Sequence, residues 1–312
     1  MKGVKAIVIS ALMLSSSLVI ADPAATIHLR LYKDTLSLAE PTCLTAEITN
    51  NSNKDLVLFN GPMFGLQSDP YLFSLFLINP FGEEWSYSGS RGLVNYDYLP
   101  SPTLWYLIPP GKSVSNTMLA TWTDFVPDEY QEALEKLPTG TYKLYATFEI
   151  PEEKVGHKFN RTVYSDTIEF VFLPPRWEDF QALVIMDSLR WFYRAGGARR
   201  DVDPFIRHIM ETHTSYSECA HALHVSLIGS STNNIDSLML EKAIFDKAYP
   251  GSQFEVIILN ELFGLAFQPE YKERVDAQNT VIQDLSIIEP NDPRVLLKQG
   301  KIRHPRTLEE IK

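Results

Sequence analysis

The chain has 312 residues, 45% hydrophobic and 21% charged, with a formal net charge of −11. That acidity disfavours nucleic acid and anionic lipid as partners. Two cysteines make no disulfide framework, and the length suits about two domains.

Residues 1–21, "MKGVKAIVISALMLSSSLVIA", set Lys2 and Lys5 before an apolar run and end on the small residues Val19 and Ala21. This is the pattern of a secretory signal peptide. No later window holds the ~18 continuous apolar residues of a spanning helix. The expectation is an exported protein, periplasmic or extracellular, with no integral membrane span once the signal is removed. Its 291 remaining residues would carry −13, and no cysteine stands at the cut to accept a lipid. Cys43 and Cys219 are expected to be free thiols.

From residue 22 to 174 the texture is β. Thr26 to Lys33, Cys43 to Thr49 and Leu56 to Phe59 alternate apolar and polar residues, and "NNSNKD" between the last two reads as a hairpin loop. "YLFSLFLI" is a more apolar strand, followed by a Pro/Gly turn and a short return strand from Glu84 to Tyr87. "IPPGKSVSNTMLATW" and "LPTGTYKLYATFEI" each run from a turn into a strand, and "RTVYSDTIEFVF" closes the series. Asp128 and Gln131 predict one short capped helix in "DEYQEALEKL". Seven or so short strands with turns between them predict an antiparallel β-sandwich of immunoglobulin type.

The segments "LTAEITNNSNKDLVLF", "FLINPFGEEW", "IPPGKSVS" and "LPTGTYKLYATF" occur in that order. Their turn-and-strand pattern carries Ile48-Thr49-Asn50, then Gly82 and Trp85, then Pro110-Gly111, then Gly140, Tyr142, Leu144 and Ala146. It resembles the immunoglobulin-like sandwiches of the intracellular proteinase inhibitor family over residues 27–150. The resemblance implies that fold, and a peptidase inhibitor as one reading of function. The segment "SYSGSRGLVNYDYLPSPTLWY" departs from the family as a long insertion.

After Pro175 the texture is helical, which predicts a second, all-α domain over 175–312, a helical bundle or hairpin array. Trp177, Phe180, Val184, Trp191 and Ala195 recur at helical spacing. Asp203 and Pro204 look like a cap and a first helical residue. Ser252 and Glu255 look like a capping box on a helix apolar nearly all round. "GSSTNNID", residues 229–236, is the most loop-like stretch, and the basic tail "RVLLKQGKIRHPR" is free either to dock on the acidic surface or to remain disordered.

"SECAHALHVS" places Cys219, His221 and His224 within six positions, with His208 and His213 upstream. On one helix His224 falls on the apolar stripe, His221 at its border and Cys219 on the other side, so the three diverge. Glu218 and His221 form one Glu-x-x-His pair, where di-iron bundles need two. The paired ligand sets of a structural zinc site are missing too. No metal and no cofactor are expected.

Gly-x-Ser-x-Gly, His-Glu-x-x-His and Gly-Lys-Ser/Thr signatures are absent from the sequence. Gly196, Gly197, Arg199 and Arg200 precede a predicted helix start and could hold an anion, though an interhelical turn explains them as well. Glu83, Glu84 and Asp97 lie among aromatic residues, but neighbouring Glu83 and Glu84 point to opposite faces of a strand. No catalytic residue is assigned. The informative feature is aromatic: Trp85, Tyr87, Tyr96, Tyr98, Trp105 and Tyr106 crowd a loop-like stretch between strands. Exposed, they would stack on sugars or fill a partner's pocket; buried, they would plug the sandwich end or its joint with the helices. The resulting expectation is an exported, non-catalytic binding or structural protein whose ligand is another protein or a cell-envelope glycan. A peptidase inhibitor and a secreted hydrolase are the alternatives.

Overall fold

The computed structural model describes residues 24–38, 40–59, 73–86, 105–120, 122, 125, 136–151, 159–177, 179–182, 184–185, 199–212, 216–232, 234–268, 271 and 273–306. Among these the chain forms strands β1 (Ala25–Leu31), β2 (Thr35–Ser37), β3 (Thr42–Asn50), β4 (Leu56–Phe59), β5 (Phe73–Ile78) and β6 (Glu84–Ser86). They continue with β7 (Trp105–Ile108), β8 (Ser113–Ala120), β9 (Gly140–Pro151), β10 (Phe159–Tyr164) and β11 (Ile168–Leu173). Helices follow: α1 (Arg199–Glu211), α2 (Ser217–Thr232), α3 (Ile235–Ala248), α4 (Glu255–Ala266), α5 (Val275–Ile288) and α6 (Pro293–Lys298). An N-terminal β region is followed by C-terminal helices. The capped helix expected around Asp128 lies outside the described residues.

Alternation decides which face of each strand is buried. Leu44, Ala46 and Ile48 of β3 and Tyr142, Leu144, Ala146 and Phe148 of β9 are all core residues, each set spaced by two. The strands form a three-stranded sheet, β1-β3-β8, a six-stranded sheet ordered β2-β11-β9-β5-β6 with β10 also on β9, and a two-stranded sheet, β4-β7. The pairs are antiparallel except one: β2 runs parallel to β11, with Thr35 opposite Val171, so the larger sheet is mixed.

"NNSNKD" closes no hairpin. β3 pairs with β8 and β4 with β7, so the turn carries the chain between two strands that both face the same returning segment. Asn50 holds this break: its Nδ2 donates to the carbonyls of Lys54 and Ile108, each at 2.7 Å, and its Oδ1 accepts the Ser52 amide at 2.9 Å. Across from it Gly111, at φ 69°, donates its amide to Asn50 O at 2.7 Å. A side chain at Gly111 would be strained by that positive φ. "RTVYSDTIEFVF" is likewise split, into β10 and β11. Both halves lie along β9, and Ser165 bridges the gap by donating its amide to Ala146 O and accepting the Ala146 amide on Oγ.

One hydrophobic core gathers inward residues of all three sheets around an aromatic group. Trp122 stacks on Phe170 at 4.6 Å, and Tyr142 meets Phe172 edge-on at 4.9 Å. Such pairs contribute about 0.5–1.5 kcal/mol each beyond area burial. The polar ends are satisfied: Trp122 Nε1 donates to Glu40 O and Tyr142 Oη to Pro138 O, both at 2.7 Å. Ile206, Ile209, Tyr216, Ala220 and Leu296 of the helical segment, with Ile302 beyond it, belong to this same core. A second core lies among the helices and takes in Cys43 of β3. Element type therefore changes at Pro174-Pro175, while apolar packing continues across it.

Helix boundaries depart from the sequence pattern in three places. α1 starts at Arg199, so Asp203 does not cap it and Pro204 lies inside it. α2 continues to Thr232 and α3 starts at Ile235, leaving little of the expected loop at 229–236; Asn234 caps α3 through the amides of Asp236 and Ser237. Ser252 and Glu255 form no capping box: Ser252 Oγ takes the Phe254 amide at 3.0 Å, and the Glu255 carboxylate turns to Lys242. Before α1, residues 177, 179–182 and 184–185 are helical, but Trp177 and Val184 face solvent while Asp179 and Ala182 are buried. As expected from its all-round apolar surface, α4 is central, packed against α2, α3, α5 and β8. The basic tail is docked: α6 packs on β8, and Arg303 bridges to Leu107 of β7.

Candidate functional site

The six aromatic residues do not stay together. Trp85 on β6 is 7% exposed, its ring 6.3 Å from that of Tyr142. Tyr106 on β7 is 8% exposed, its ring 4.9 Å from that of His304. These two are packing residues, turned inward by the alternation of their strands. Burial, and after it the charge of Asp292, push the Tyr106 phenol up to about 12 against the pull of Arg294. The Trp105 backbone lies in β7 opposite Phe59. Its side chain, with Tyr87, Tyr96 and Tyr98, lies outside the described residues.

Helix α2 is buried all round at Cys219, Ala220, His221, Ala222, His224 and Val225, so it has no single apolar stripe. It lies between the two cores, with Ala220 in one and Cys219, Ala222 and Val225 in the other. His221 packs edge-on to Phe245 at 5.3 Å and to Tyr249 at 5.6 Å. Burial, and then the neighbouring His224, hold its pKa below the usual histidine value. Cys43 and Cys219 are free thiols. Both are raised, first by burial, and Cys43 also by Cys219, Glu289 and Glu218. His208 is exposed on α1, and His213 lies outside the described residues. Among the described residues no group of three or more His, Cys, Asp or Glu side chains is placed to hold a metal ion.

The carboxylates near the aromatic stretch serve the turn and the sheet. Glu83 Oε2 accepts from Asn79 Nδ2 and Glu84 Oε2 from Tyr145 Oη, both at 2.7 Å. Asp97, Gly196 and Gly197 lie outside the described residues. Arg199 and Arg200 are in the first turn of α1.

Buried polar groups concentrate instead where sheet β1-β3-β8 meets the helices. Gln253 Oε1 accepts from Thr42 Oγ1 at 3.0 Å and from the Cys43 amide at 2.7 Å. Tyr216 Oη donates to Leu38 O at 2.9 Å. Along the outer face of the sheet Thr45 pairs with Thr117 and Thr49 with Ser113 through their hydroxyls. Opposite them, Asp292 caps α6 by accepting the Arg294 amide at 2.7 Å, and it also takes the Arg294 guanidinium on both oxygens. Glu289, one turn earlier, is buried beside this pair. A second polar knot joins the helices: buried Lys242 donates to Asp246 and Glu255 at 2.7 Å and pairs with Asp284 at 2.9 Å. Burial opposes the Lys242 charge, but the three carboxylates outweigh it and raise the pKa.

None of Gln253, Lys242, Glu289 and Arg294 was singled out in the sequence. "NDPR" did carry a readable signal, an Asp-Pro helix start identical in kind to the one read at Asp203-Pro204. What Gln253 and Lys242 do chemically is join elements: Gln253 ties β3 to the start of α4, and Lys242 ties α3 to α4 and α5, while the Asp292–Arg294 pair closes the cap of α6.

No protein-family model matches the chain, and no curated protein matches it. Among solved structures it is similar in part to the sporulation control protein Spo0M of Bacillus subtilis, with 14% identity and a TM-score of 0.28 over 54% of this chain and 56% of that one. A β-glucosidase of Erythrobacter marinus aligns at 9% identity and TM-score 0.26 over 48% of this chain and 15% of that one. The alkylpurine DNA glycosylase AlkC of Pseudomonas fluorescens aligns at 8% and 0.26 over 48% and 30%. The chain spans less than two thirds of each of these proteins, and alignments this loose carry no argument about fold or activity. Among the described residues no helix is long and apolar enough to cross a membrane.

Proposed function

We propose that the protein is exported and acts by binding, with an immunoglobulin-like sandwich as the scaffold and residues 87–104 as the contact segment. The ligand is another protein or a cell-envelope glycan. The observation that carries this reading is the burial of Trp85 and Tyr106, which fixes both ends of the segment to the core. A long connection set on a rigid scaffold is where binding function concentrates, and Tyr87, Tyr96 and Tyr98 supply amphipathic side chains suited to sugar faces and protein pockets. Export rests on the 21-residue leader pattern.

The test uses the mature chain and its Tyr96→Ala and Tyr98→Ala variants in sedimentation with purified envelope glycan and in cross-linking to envelope proteins. A truncated aromatic anchor costs about 2 kcal/mol of binding, a loss of roughly thirtyfold, at unchanged melting temperature. Equal capture by all three proteins would reject the segment as the contact.

A further inference from the structure

The turn from α5 to α6 closes the open edge of β8. Ser115 donates its amide to Asn291 O at 2.8 Å, and Asn291 Nδ2 donates to Glu47 Oε2 at 3.0 Å. Amides two apart on a strand point the same way, so the Thr117 amide also faces this turn, on the side of Glu289. Glu289 is 3% exposed; neither carboxylate oxygen makes a well-formed hydrogen bond among the described residues, and the Thr117 backbone amide is the one hydrogen-bonding group near enough to favour its charge. The adjacent cation is committed elsewhere: Arg294 grips Asp292 through Nε and Nη2, donates to Asn260 Oδ1 at 2.8 Å, and lies 4.8 Å from the Phe263 ring centre. Around Glu289 stand Asp292 and Arg294 from α6 and its cap, Arg30 from β1, Cys43 from β3 and the Thr117 backbone of β8. Asp292 opposes a further negative charge there; Arg294, the Thr117 amide and the exposed Arg30 favour it.

We propose that Glu289 is a proton-operated latch for residues 289–306: with its carboxyl neutral the turn sits on the β8 edge, and with the carboxyl ionised the turn leaves that edge for water. A buried carboxylate without hydrogen bonds is strongly disfavoured, whereas the neutral acid is tolerated. Burial, and then the charge of Asp292, push the Glu289 carboxyl up to about 7, against Arg294, the Thr117 backbone and Arg30. The stabilisation of the seated form is therefore complete below the ordinary glutamate pKa of about 4.5 and is lost progressively as pH rises to about 7. The consequence reaches past the turn. Leu107 donates to Arg303 O at 2.8 Å and the Tyr106 ring lies tilted against His304 at 4.9 Å, so the segment beyond α6 holds β7.

Amide hydrogen exchange at Ser115 and Leu107, read by NMR in the full mature chain and in Glu289→Gln at matched pH, tests the latch. Intrinsic exchange cancels in the ratio of the two proteins. Opening in the unaltered protein relative to the variant should rise on the order of tenfold between pH 5.5 and 8. A ratio that stays flat overturns the proposal. Should Glu289→Gln fail to fold, the carboxyl-carbon titration of Glu289 in the unaltered chain decides. A midpoint near neutrality supports the latch, and one at about 4.3, the ordinary glutamate value, overturns it.

Discussion

The Cys43 amide on β3 donates to Gln253 Oε1 at 2.7 Å, and the Cys43 thiol donates to Gln253 O at 3.2 Å. One residue ahead of the central helix thus grips the edge of the β region twice. Replacing Gln253 with Leu removes the acceptor and leaves a buried amide unpaired, which costs about 1–3 kcal/mol. Urea unfolding should show that loss. Alkylation of Cys43, slow in the parent because burial and nearby charges keep its thiol protonated, should accelerate in the variant. Equal stability and equal labelling would show that Gln253 does not secure the joint.

Lys242 faces three carboxylates while only 6% of its side chain is exposed. Lys242→Met would leave Asp246, Glu255 and Asp284 repelling one another. A broken buried pair costs about 3–5 kcal/mol, and the partial exposure of Asp246 and Asp284 brings the expectation to the lower end. The sign with pH is specific. Without the cation the Glu255 carboxyl, already raised by burial, loses the partner that lowers it and rises further in the folded state, so the deficit shrinks as pH falls from 7 toward 4. A deficit that stays constant over that range would mean lost packing and no charge effect.

The strands were legible because alternation writes burial directly into the sequence, and Leu56–Phe59 was found to the residue. What alternation cannot give is partner choice. "NNSNKD" has hairpin composition, yet Asn50 uses it to pass between strands that pair with the same returning segment. Helix caps were ambiguous for a similar reason. Asp203-Pro204 and Asp292-Pro293 carry the same signal, and tertiary packing makes only the second a helix start. The histidines of α2 stand out by composition, although from Cys219 to Val225 their helix is buried on nearly every side. The polar seam was invisible because Gln253 and Glu289 lie far in sequence from Cys43 and Thr117.

Trp85 and Tyr106 are buried where sequence composition alone allowed them to be binding residues. Trp85→Ala should lower stability by about 3–5 kcal/mol, the range for a truncated buried aromatic. Tyr106→Ala should do so too, and it should also release the tail, since His304 loses its ring partner. Thermal melts and protease cleavage after Lys301 read the two effects separately. Trp85→Ala with an unchanged melting temperature would remove the anchored-ends argument for residues 87–104.

Glu289 and His221 should pull stability in opposite directions across the same pH range. The Glu289 carboxyl is raised from 4.5 to about 7, so its unfolded form releases its proton first, and stability falls as pH climbs through that interval. The full span of the shift amounts to roughly 3 kcal/mol. His221 is depressed, so its unfolded form takes up a proton first, and stability falls as pH drops through 6.5 and below. In the parent these slopes oppose one another below pH 6.5, and each offsets part of the other. Glu289→Gln should leave stability rising with pH over that window, and His221→Phe should leave it falling more steeply than in the parent. The double variant should have a shallow profile. Urea midpoints at half-unit pH steps measure all four curves. Parallel curves would show that neither group is held away from its unfolded-state pKa.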